Sequence, residues 1–432
     1  MNPYLLIIAL ASVIILSFFF NIIAKKTNIP SVLMLIALGM GIKAYMDAHN
    51  ILNKDIKLDT TLEVLGNVGL VMIVLEAALD LKLEKEKTGL ILKSLLVAIL
   101  GIAGSMLGLT FFFLYIFPST DVYTAVVYSI PLSIMSSAII IPSVGRLTGQ
   151  KREFMVYEST FSDILGIMVF YFMIGAEGGA GGGSLVLEIV LNIVVTILIS
   201  VIVSYALVYL FQHLRMQVKL FLVIGVLLLL FAVGKYFHLS SLLIILTFGI
   251  VLNNTDVFFP GRLAKLFDRE KVKPILHDFH TLTLESAFLI RTFFFVVFGL
   301  SITISSLYNW EVAVNSFAIV CILYLVRFIA LRLFAKEFMF PELLIAPRGL
   351  ITVLLFFVLA KSSLNIPDFD AGLLLYPILI TSIVMMIGLI SYRGEKVKDV
   401  LFVKLPILKS DTDEEMEHRI EENTEKQDFD GF

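Results

Sequence analysis

The sequence predicts an all-α membrane protein with thirteen transmembrane helices. The chain of 432 residues is 59% hydrophobic and only 16% charged, whereas a soluble globular domain is about half apolar and a quarter charged. The apolar residues form runs of about 20, which is the length that spans a bilayer core. These runs are apolar on all sides, so they do not match the one-sided helices of a soluble bundle.

Turn residues separate the apolar runs and set the predicted ends of the spans. Spans one to thirteen are predicted at about 4–24, 30–46, 61–81, 88–117, 121–144, 152–176, 185–212, 217–236, 238–253, 281–304, 309–334, 342–361 and 371–392. The first run lacks the flanks of a cleaved signal peptide and is expected to stay as a helix. Residues 1–392 therefore form the predicted membrane domain, and the acidic segment 393–432 is a predicted cytoplasmic tail, partly disordered.

The distribution of basic residues predicts the orientation of the chain. Lys and Arg gather in the loops that follow the odd-numbered spans, and cytoplasmic loops carry such an excess. The opposite loops hold only Lys54, Lys57, Lys235 and Lys361. The N-terminus is therefore predicted outside and the C-terminus in the cytoplasm.

An internal similarity indicates two repeats, at about 4–176 and 217–392. The run 30–39 of span two resembles 240–249 of span nine, and 78–80 at the end of span three resembles 299–301 in span ten. Both offsets are seven spans, an odd number, so the second copy enters the membrane in the opposite direction. Inverted-topology repeats are typical of secondary transporters, whose sites lie near the midplane.

Seven ionisable side chains are predicted to lie deep within spans, where they are costly and mark candidate functional sites. They are Glu76, Glu158, Asp163, Glu285, Arg291, Arg327 and Arg348. Arg291 and Arg327 are expected to pair with another group or to extend toward the membrane surface. For Glu285 the pattern favours neither a functional nor a structural role.

Span six carries the strongest site candidate. Ser159, Ser162 and Asp163 are spaced i, i+3 and i+4, so they share one face of a helix. Two hydroxyls and a carboxylate are hard oxygen ligands that suit a small alkali cation. Asp163 is predicted to hold the cation together with Ser159, because a buried Asp is rarely structural without a neighbouring cationic group.

Spans five and twelve carry signals for interrupted helices. Span five has Pro131 and Pro142 on either side of Ser136 and Ser137, and span twelve contains the run 346–350 with Pro and Gly flanking an Arg. Interrupted helices in corresponding positions of two repeats point to a transport site. Ser136 and Ser137 therefore join the predicted ion site, although serines in membrane helices also bond to their own backbone.

Glu158 needs a partner of its own. It lies five residues before Asp163, about 140° around the helix, so it points in another direction. Arg348 in span twelve is the predicted partner, in an ion pair that is structural and not a substrate contact.

These motifs together resemble the monovalent cation/proton antiporter superfamily, and in particular its electroneutral sodium/proton exchangers of the NhaP type. The resemblance rests on Glu158, Ser159 and Asp163 in span six, on Arg348-Gly349 in span twelve, and on Glu76 in its Leu-Glu-Ala-Ala-Leu-Asp run. It implies a homodimer in which a dimerisation scaffold lies beside a six-helix core. Spans five and twelve would be the crossed, broken helices of that core, and Glu76 would belong to the ion site.

Two positions depart from the pattern of that branch. Ser162 stands where the branch has Asn before the ion-binding Asp, and 136–138 reads Ser-Ser-Ala where the branch has Thr-Asp-Pro. The second pattern is more similar to that of the potassium-efflux branch. Sodium, lithium and potassium therefore all stay open as the transported ion.

The sequence predicts an antiporter of the cell (inner) membrane that exchanges a monovalent cation for protons, one for one, by competition at Asp163. No cofactor, enzymatic reaction or nucleic-acid partner is expected. One alternative is a sodium-coupled symporter of an organic anion, which would need more polar midplane residues than the spans contain. The other is a non-transporting membrane sensor or scaffold. The missing carboxylate of span five would be a trace of such a role, and Asp163 together with Arg348 argues against it.

Overall fold

The structure is a computed structural model that describes residues 3–27, 31–48, 58–83, 85–175, 195, 198–206, 209, 219–236, 241–258, 269–301, 309–360, 362–364, 366, 369–370 and 372–392. Every regular element in these residues is helical, which confirms the all-α prediction for this part of the chain. The predicted tail 393–432 and most of span seven lie outside it. Residues 195, 198–206 and 209 of span seven are described and include helix.

Helices occupy each of the other twelve predicted spans. Ten spans are single helices. Spans one to four are Pro3–Thr27, Ser31–Ala48, Leu58–Asp80 and Thr88–Ile116, and span six is Gly149–Gly175. Spans eight to eleven are Lys219–Tyr236, Ser241–Asn253, Arg269–Ser301 and Trp310–Phe334, and span thirteen is Gly372–Ser391. Span five comprises Val122–Ser133 and Ser137–Ser143, and span twelve comprises the single turn Glu342–Leu344 and the helix Leu350–Leu359. Three further short helical turns are Lys85–Lys87, Val144–Arg146 and Thr255–Phe258.

Among the described residues, eight helices are long and apolar enough to cross a membrane, and three more apolar helices are shorter. Span ten is the clearest difference from the predicted boundaries. Its helix begins at Arg269, about three turns before the predicted start at 281. Those first turns carry several charged residues, so a prediction from apolar runs passes over them.

Span five is interrupted after Ser133. Its first half is capped by Asp121, whose carboxylate accepts a hydrogen bond of 3.0 Å from the Thr124 amide. Pro131 removes one amide donor from the ladder near the end of that half. Residues 134–136 are not helical, and the second half starts at Ser137.

Span twelve is interrupted between its first turn and its long helix. Residues 345–349 form no helix, and Pro347 disfavours the helical conformation at the residue before it. Gly349 lies close to span five: a Cβ atom there would be 2.6 Å from Ile139 Cδ1 and 2.9 Å from Ser136 Oγ. A side chain at this position would push the two spans apart.

The two interruptions lie against each other, as the resemblance implied for spans five and twelve. The Ser136 amide donates to the Pro347 carbonyl at 2.9 Å, which joins the two non-helical segments. The hydroxyl of Thr352 donates to the Pro131 carbonyl, also at 2.9 Å. Non-helical backbone inside a membrane is tolerated only where such partners satisfy it.

Two close helix contacts involve the residues that the internal similarity aligns. Gly39 in span two packs against Gly299 in span ten, where a Cβ on either residue would be 2.9 Å from the Cα of the other. Gly249 in span nine packs against Ala78 in span three, whose Cβ would be 2.5 Å away from a Cβ on Gly249. Small residues at such positions let helices approach closely in a membrane.

Candidate cation site

Asp163 lies at the interruption of span five. It is 3% exposed, and its Oδ2 accepts a hydrogen bond of 3.1 Å from the Ser137 amide. The carboxylate thus occupies the N-terminal end of the second half of span five, where free amides and the helix dipole favour negative charge. Span six supplies the carboxylate, and the break in span five supplies the free amide.

Several buried oxygens of spans five and six lack a hydrogen-bond partner among the described residues. They include Asp163 Oδ1, Ser136 Oγ and Thr160 Oγ1. Buried polar atoms in native proteins are nearly always satisfied, and an unsatisfied one costs about 1–3 kcal/mol. A carboxylate oxygen and a hydroxyl oxygen without partners are therefore available to an alkali cation.

The two predicted serines of span six both have hydrogen-bond partners. The Ser159 hydroxyl donates to the Val156 carbonyl of its own helix at 3.2 Å. Ser162 Oγ accepts from the Met135 amide at 3.0 Å, which satisfies one more backbone group of the span five interruption. The geometry therefore gives Ser162 a role in holding that interruption, and cation binding by Ser159 stays a prediction.

Glu76 lies in an ion pair near the same interruption. Its carboxylate oxygens are 3.2 and 3.3 Å from Arg291 Nη2. The Nη1 atom of Arg291 donates to the Ala138 carbonyl at 2.9 Å, one residue beyond the amide that binds Asp163. Arg291 was predicted either to pair or to extend toward the membrane surface, and the structure shows the pair. Arg291 thus connects Glu76 to the second half of span five.

The prediction that Glu158 pairs with Arg348 is wrong. Arg327 in span eleven, not Arg348, binds the carboxylate of Glu158 through both Nη atoms, at 2.5 and 3.1 Å. Glu158 is 1% exposed and Arg327 is 5% exposed, so this is a fully buried, two-pronged ion pair.

Arg348 instead binds backbone carbonyls that the two interruptions leave without helical partners. Its Nε donates to Leu132 at 2.7 Å, near the end of the first half of span five, and its Nη1 donates to Ala346 at 2.8 Å. A cation is favourable at the C-terminal end of a helix. The free carbonyls of span five therefore determine the position of Arg348, and these carbonyls cannot be identified from the sequence.

Arg327 also connects the buried pair to the first turn of span twelve. Its Nε and Nη2 donate to the Glu342 carbonyl at 3.1 and 2.7 Å. The buried side chain of Glu342 pairs with Lys151 at 2.9 Å. Glu158, Arg327, Glu342 and Lys151 therefore form a series of alternating negative and positive charges that ends at the start of span six.

Two threonines, Thr160 and Thr381, were not among the predicted site residues. Thr160 precedes Asp163 by three residues, and its helical spacing could have identified it. Thr381 accepts a hydrogen bond of 3.0 Å from the Arg348 amide, in a role that only the interruption of span twelve reveals. The side chain of Glu285 is exposed on span ten, away from the buried groups at the interruptions.

The family model for the transmembrane sodium/hydrogen exchanger matches residues 11–391, which include every one of these charged groups. The chain belongs to the sodium/hydrogen exchanger family. The exchanger is therefore a multi-pass membrane transport protein, and its family membership supports cation/proton antiport. No curated protein sequence matches the exchanger.

Solved structures show the same fold. A structure of the sodium/proton antiporter MjNhaP1 from Methanocaldococcus jannaschii at pH 8 has a TM-score of 0.68 and 20% sequence identity, over 90% of this chain and 96% of that chain. An electron-microscopy map of the same antiporter gives a TM-score of 0.67 and 19% identity, over 90% and 95%. The NhaP-type fold predicted for the exchanger is thus present over nearly its full length.

Proposed function

We propose that this exchanger binds a monovalent cation or a proton alternately at Asp163, and moves the two in opposite directions. The observation that carries the proposal is the unpartnered Oδ1 of a buried aspartate at an interrupted helix. One carboxylate oxygen is held by backbone while the other is left for a ligand. A cation and a proton compete for that oxygen, so each excludes the other.

Ser136 is the first additional ligand in this proposal, because its buried hydroxyl also lacks a described partner and lies next to the residue that binds Asp163. Ser137 contributes its amide to Asp163, and Thr160 is a further candidate. Sodium, lithium and potassium each suit hydroxyl and carboxylate oxygens. The departures of Ser136–Ala138 and Ser162 from the NhaP pattern make the choice among these ions a matter for measurement.

Alternating access would follow from the inverted repeat. The contacts of Gly39 with Gly299 and of Gly249 with Ala78 support this repeat, since each contact joins a residue of one copy to a residue of the other at aligned positions. The interruptions support it as well. In span five a backbone amide binds Asp163 of the next span, and in span twelve a backbone amide binds Thr381 of the next span.

The remaining parts of the proposal come from the resemblance and from the loop charges. The exchanger would form a homodimer through a scaffold beside the core that holds spans five and twelve. It would lie in the cell (inner) membrane with its N-terminus outside and its C-terminus in the cytoplasm, as the positions of Lys and Arg indicate.

Exchange measurements on Asp163→Asn test the proposal. Purified protein in liposomes, with a pH-sensitive dye inside, should move protons when sodium, lithium or potassium is added outside. Asp163→Asn should abolish this movement, because the amide cannot exchange a proton for a cation. The variant should still fold, since an Asn oxygen can accept the bond from Ser137.

Asp121→Asn is the matched control. Asp121 caps the first half of span five as Asp163 caps the second half, and the substitution is the same, so exchange should persist. The transported cation should raise the melting temperature of wild type and Asp121→Asn but not that of Asp163→Asn. Near-normal exchange by Asp163→Asn would refute the proposal, and cation entry without proton movement would favour a symporter.

A further inference from the structure

A cavity lies between spans four, five, six, eleven and twelve, on a side of span six that Asp163 does not line. It has about 20 Å³ of room for the centre of a water molecule, and about 10–15 Å³ is enough for one water. Charged and hydroxyl groups form its polar wall. They are Ser105, Ser133, Glu158, Ser162, Arg327 and Arg348.

The charges on this wall do not balance. Glu158 and Arg327 neutralise each other in their ion pair. Arg348 is 3% exposed and forms no ion pair with any described residue, since its Nε and Nη1 donate to neutral carbonyls. The cavity therefore carries one net positive charge inside the membrane domain, and a buried charge without a counter-ion is costly.

Several free hydrogen-bonding groups at the cavity are donors. The Nη2 group of Arg348 donates to no described atom. Ser162 accepts a bond through its oxygen, while its hydroxyl hydrogen has no described acceptor. Ser105 is buried on span four and has no described hydrogen bond. A guanidinium group and two hydroxyl donors around a small void match the needs of an anion better than those of a cation.

We propose that this cavity binds one small inorganic anion of the size of chloride, which acts as the counter-ion of Arg348. The anion would hold Arg348 at the ends of both interruptions and so stabilise the non-helical segment of span twelve. This site is separate from Asp163, and the proposal does not depend on which cation the exchanger carries.

Melting temperatures of the purified full-length protein test the proposal. At equal sodium concentration and ionic strength, chloride should raise the melting temperature above its value in gluconate, and the rise should saturate. Gly101→Leu should abolish the difference, because a Cβ at Gly101 meets nothing within 4 Å and Gly101 lines the cavity. The leucine side chain is expected to fill the void and to leave in place the carbonyls that bind Arg348.

Gly89→Leu is the matched control, since Gly89 is on the same span, also has open space around its Cβ position, and does not line the cavity. It should keep the chloride effect. An equal chloride effect in Gly101→Leu would overturn the proposal, because a general salt effect would then explain the rise.

Bromide supplies a second measurement on the unaltered protein, which decides the matter if Gly101→Leu does not fold. Crystals grown with sodium bromide should show an anomalous scattering peak within hydrogen-bonding distance of Arg348. A cavity that contains only water in those crystals would overturn the proposal.

Discussion

At the scale of single residues, the buried charges differ in what satisfies them. Glu158 and Glu76 are each bound by an arginine, whereas Asp163 is bound by a backbone amide and keeps one free oxygen. A cation or proton that reached Glu158 would have to displace Arg327. Among the described residues no charged side chain pairs with Asp163, which is why we propose that exchange occurs at this residue.

The ion pair of Glu158 with Arg327 leads to a prediction about stability. Replacing either residue with Ala should lower the free energy of unfolding by about 3–5 kcal/mol, because the remaining charge is left buried and unpaired. The exchanged pair Glu158→Arg with Arg327→Glu should recover part of the loss. Unfolding of the purified variants in detergent, followed with temperature or denaturant, measures these differences.

A double-mutant cycle separates the two candidate partners of Glu158. The coupling energy of Glu158 with Arg327 should exceed its coupling with Arg348, since only Arg327 touches the carboxylate. A larger coupling with Arg348 would restore the pairing that the sequence predicted and contradict the structure.

These residues also show where prediction from the sequence stops. The spacing of Ser159, Ser162 and Asp163 on one helix face is visible in the sequence, and so is the depth of each charge. The partner of Glu158 is not, because three arginines lie at similar depth. Arg348 is taken by carbonyls that exist only because span five is interrupted at a particular residue.

At the scale of helices, the pattern of Pro and Gly residues was sufficient to identify the two interruptions. It did not reveal what satisfies them, since Thr352 and Thr381 resemble any other threonine in an apolar run. The start of span ten was missed for a related reason. Its first turns are charged, and hydropathy measures contact with lipid and not helix formation.

The contact between spans two and ten makes a second prediction about stability. Gly39→Ala would place a methyl group 2.2 Å from the Val296 carbonyl oxygen, a backbone atom that cannot turn away. The substitution should cost about 1–3 kcal/mol of unfolding free energy, the usual cost of an overpacked contact.

Gly41→Ala on the same helix is the control, because a Cβ there meets nothing within 4 Å. It should be neutral or slightly stabilising, as Ala favours the helix more than Gly does. Equal melting temperatures for the two variants would show that spans two and ten are not in close contact in the membrane.

At the scale of the whole molecule, the number of available carboxylates predicts electroneutral exchange of one cation for one proton. Ser162 and Ser137 cannot carry a second proton, and Glu158 is occupied by Arg327. Glu76 is paired with Arg291, which leaves Asp163 as the one carboxylate of the proposed site without a cationic partner. Each cycle then moves no net charge, although one charge crossing alone is worth about 2.3 kcal/mol per 100 mV.

The measurement uses the purified protein in liposomes with a membrane potential set by potassium and valinomycin, and with sodium or lithium as the substrate. The final ion gradient should not change with the imposed potential. A gradient that shifts with the potential would reveal a second proton. Glu76→Gln should then abolish the shift if Glu76 carries that proton.

The six ion pairs found among the described residues have one further consequence. Two lie at the buried pairs of Glu76 and Glu158, and the other four join Lys87 to Glu153, Lys93 to Glu337, Lys151 to Glu342 and His280 to Asp80. All four lie at the span ends that the loop charges assign to the cytoplasm. Salt screens partly exposed pairs much more than buried ones, so added salt should weaken these four pairs more than the pairs of Glu76 and Glu158. In the proposed orientation, a rise in the ionic strength of the cytoplasm would therefore weaken these contacts between span ends, while the buried pairs would change little.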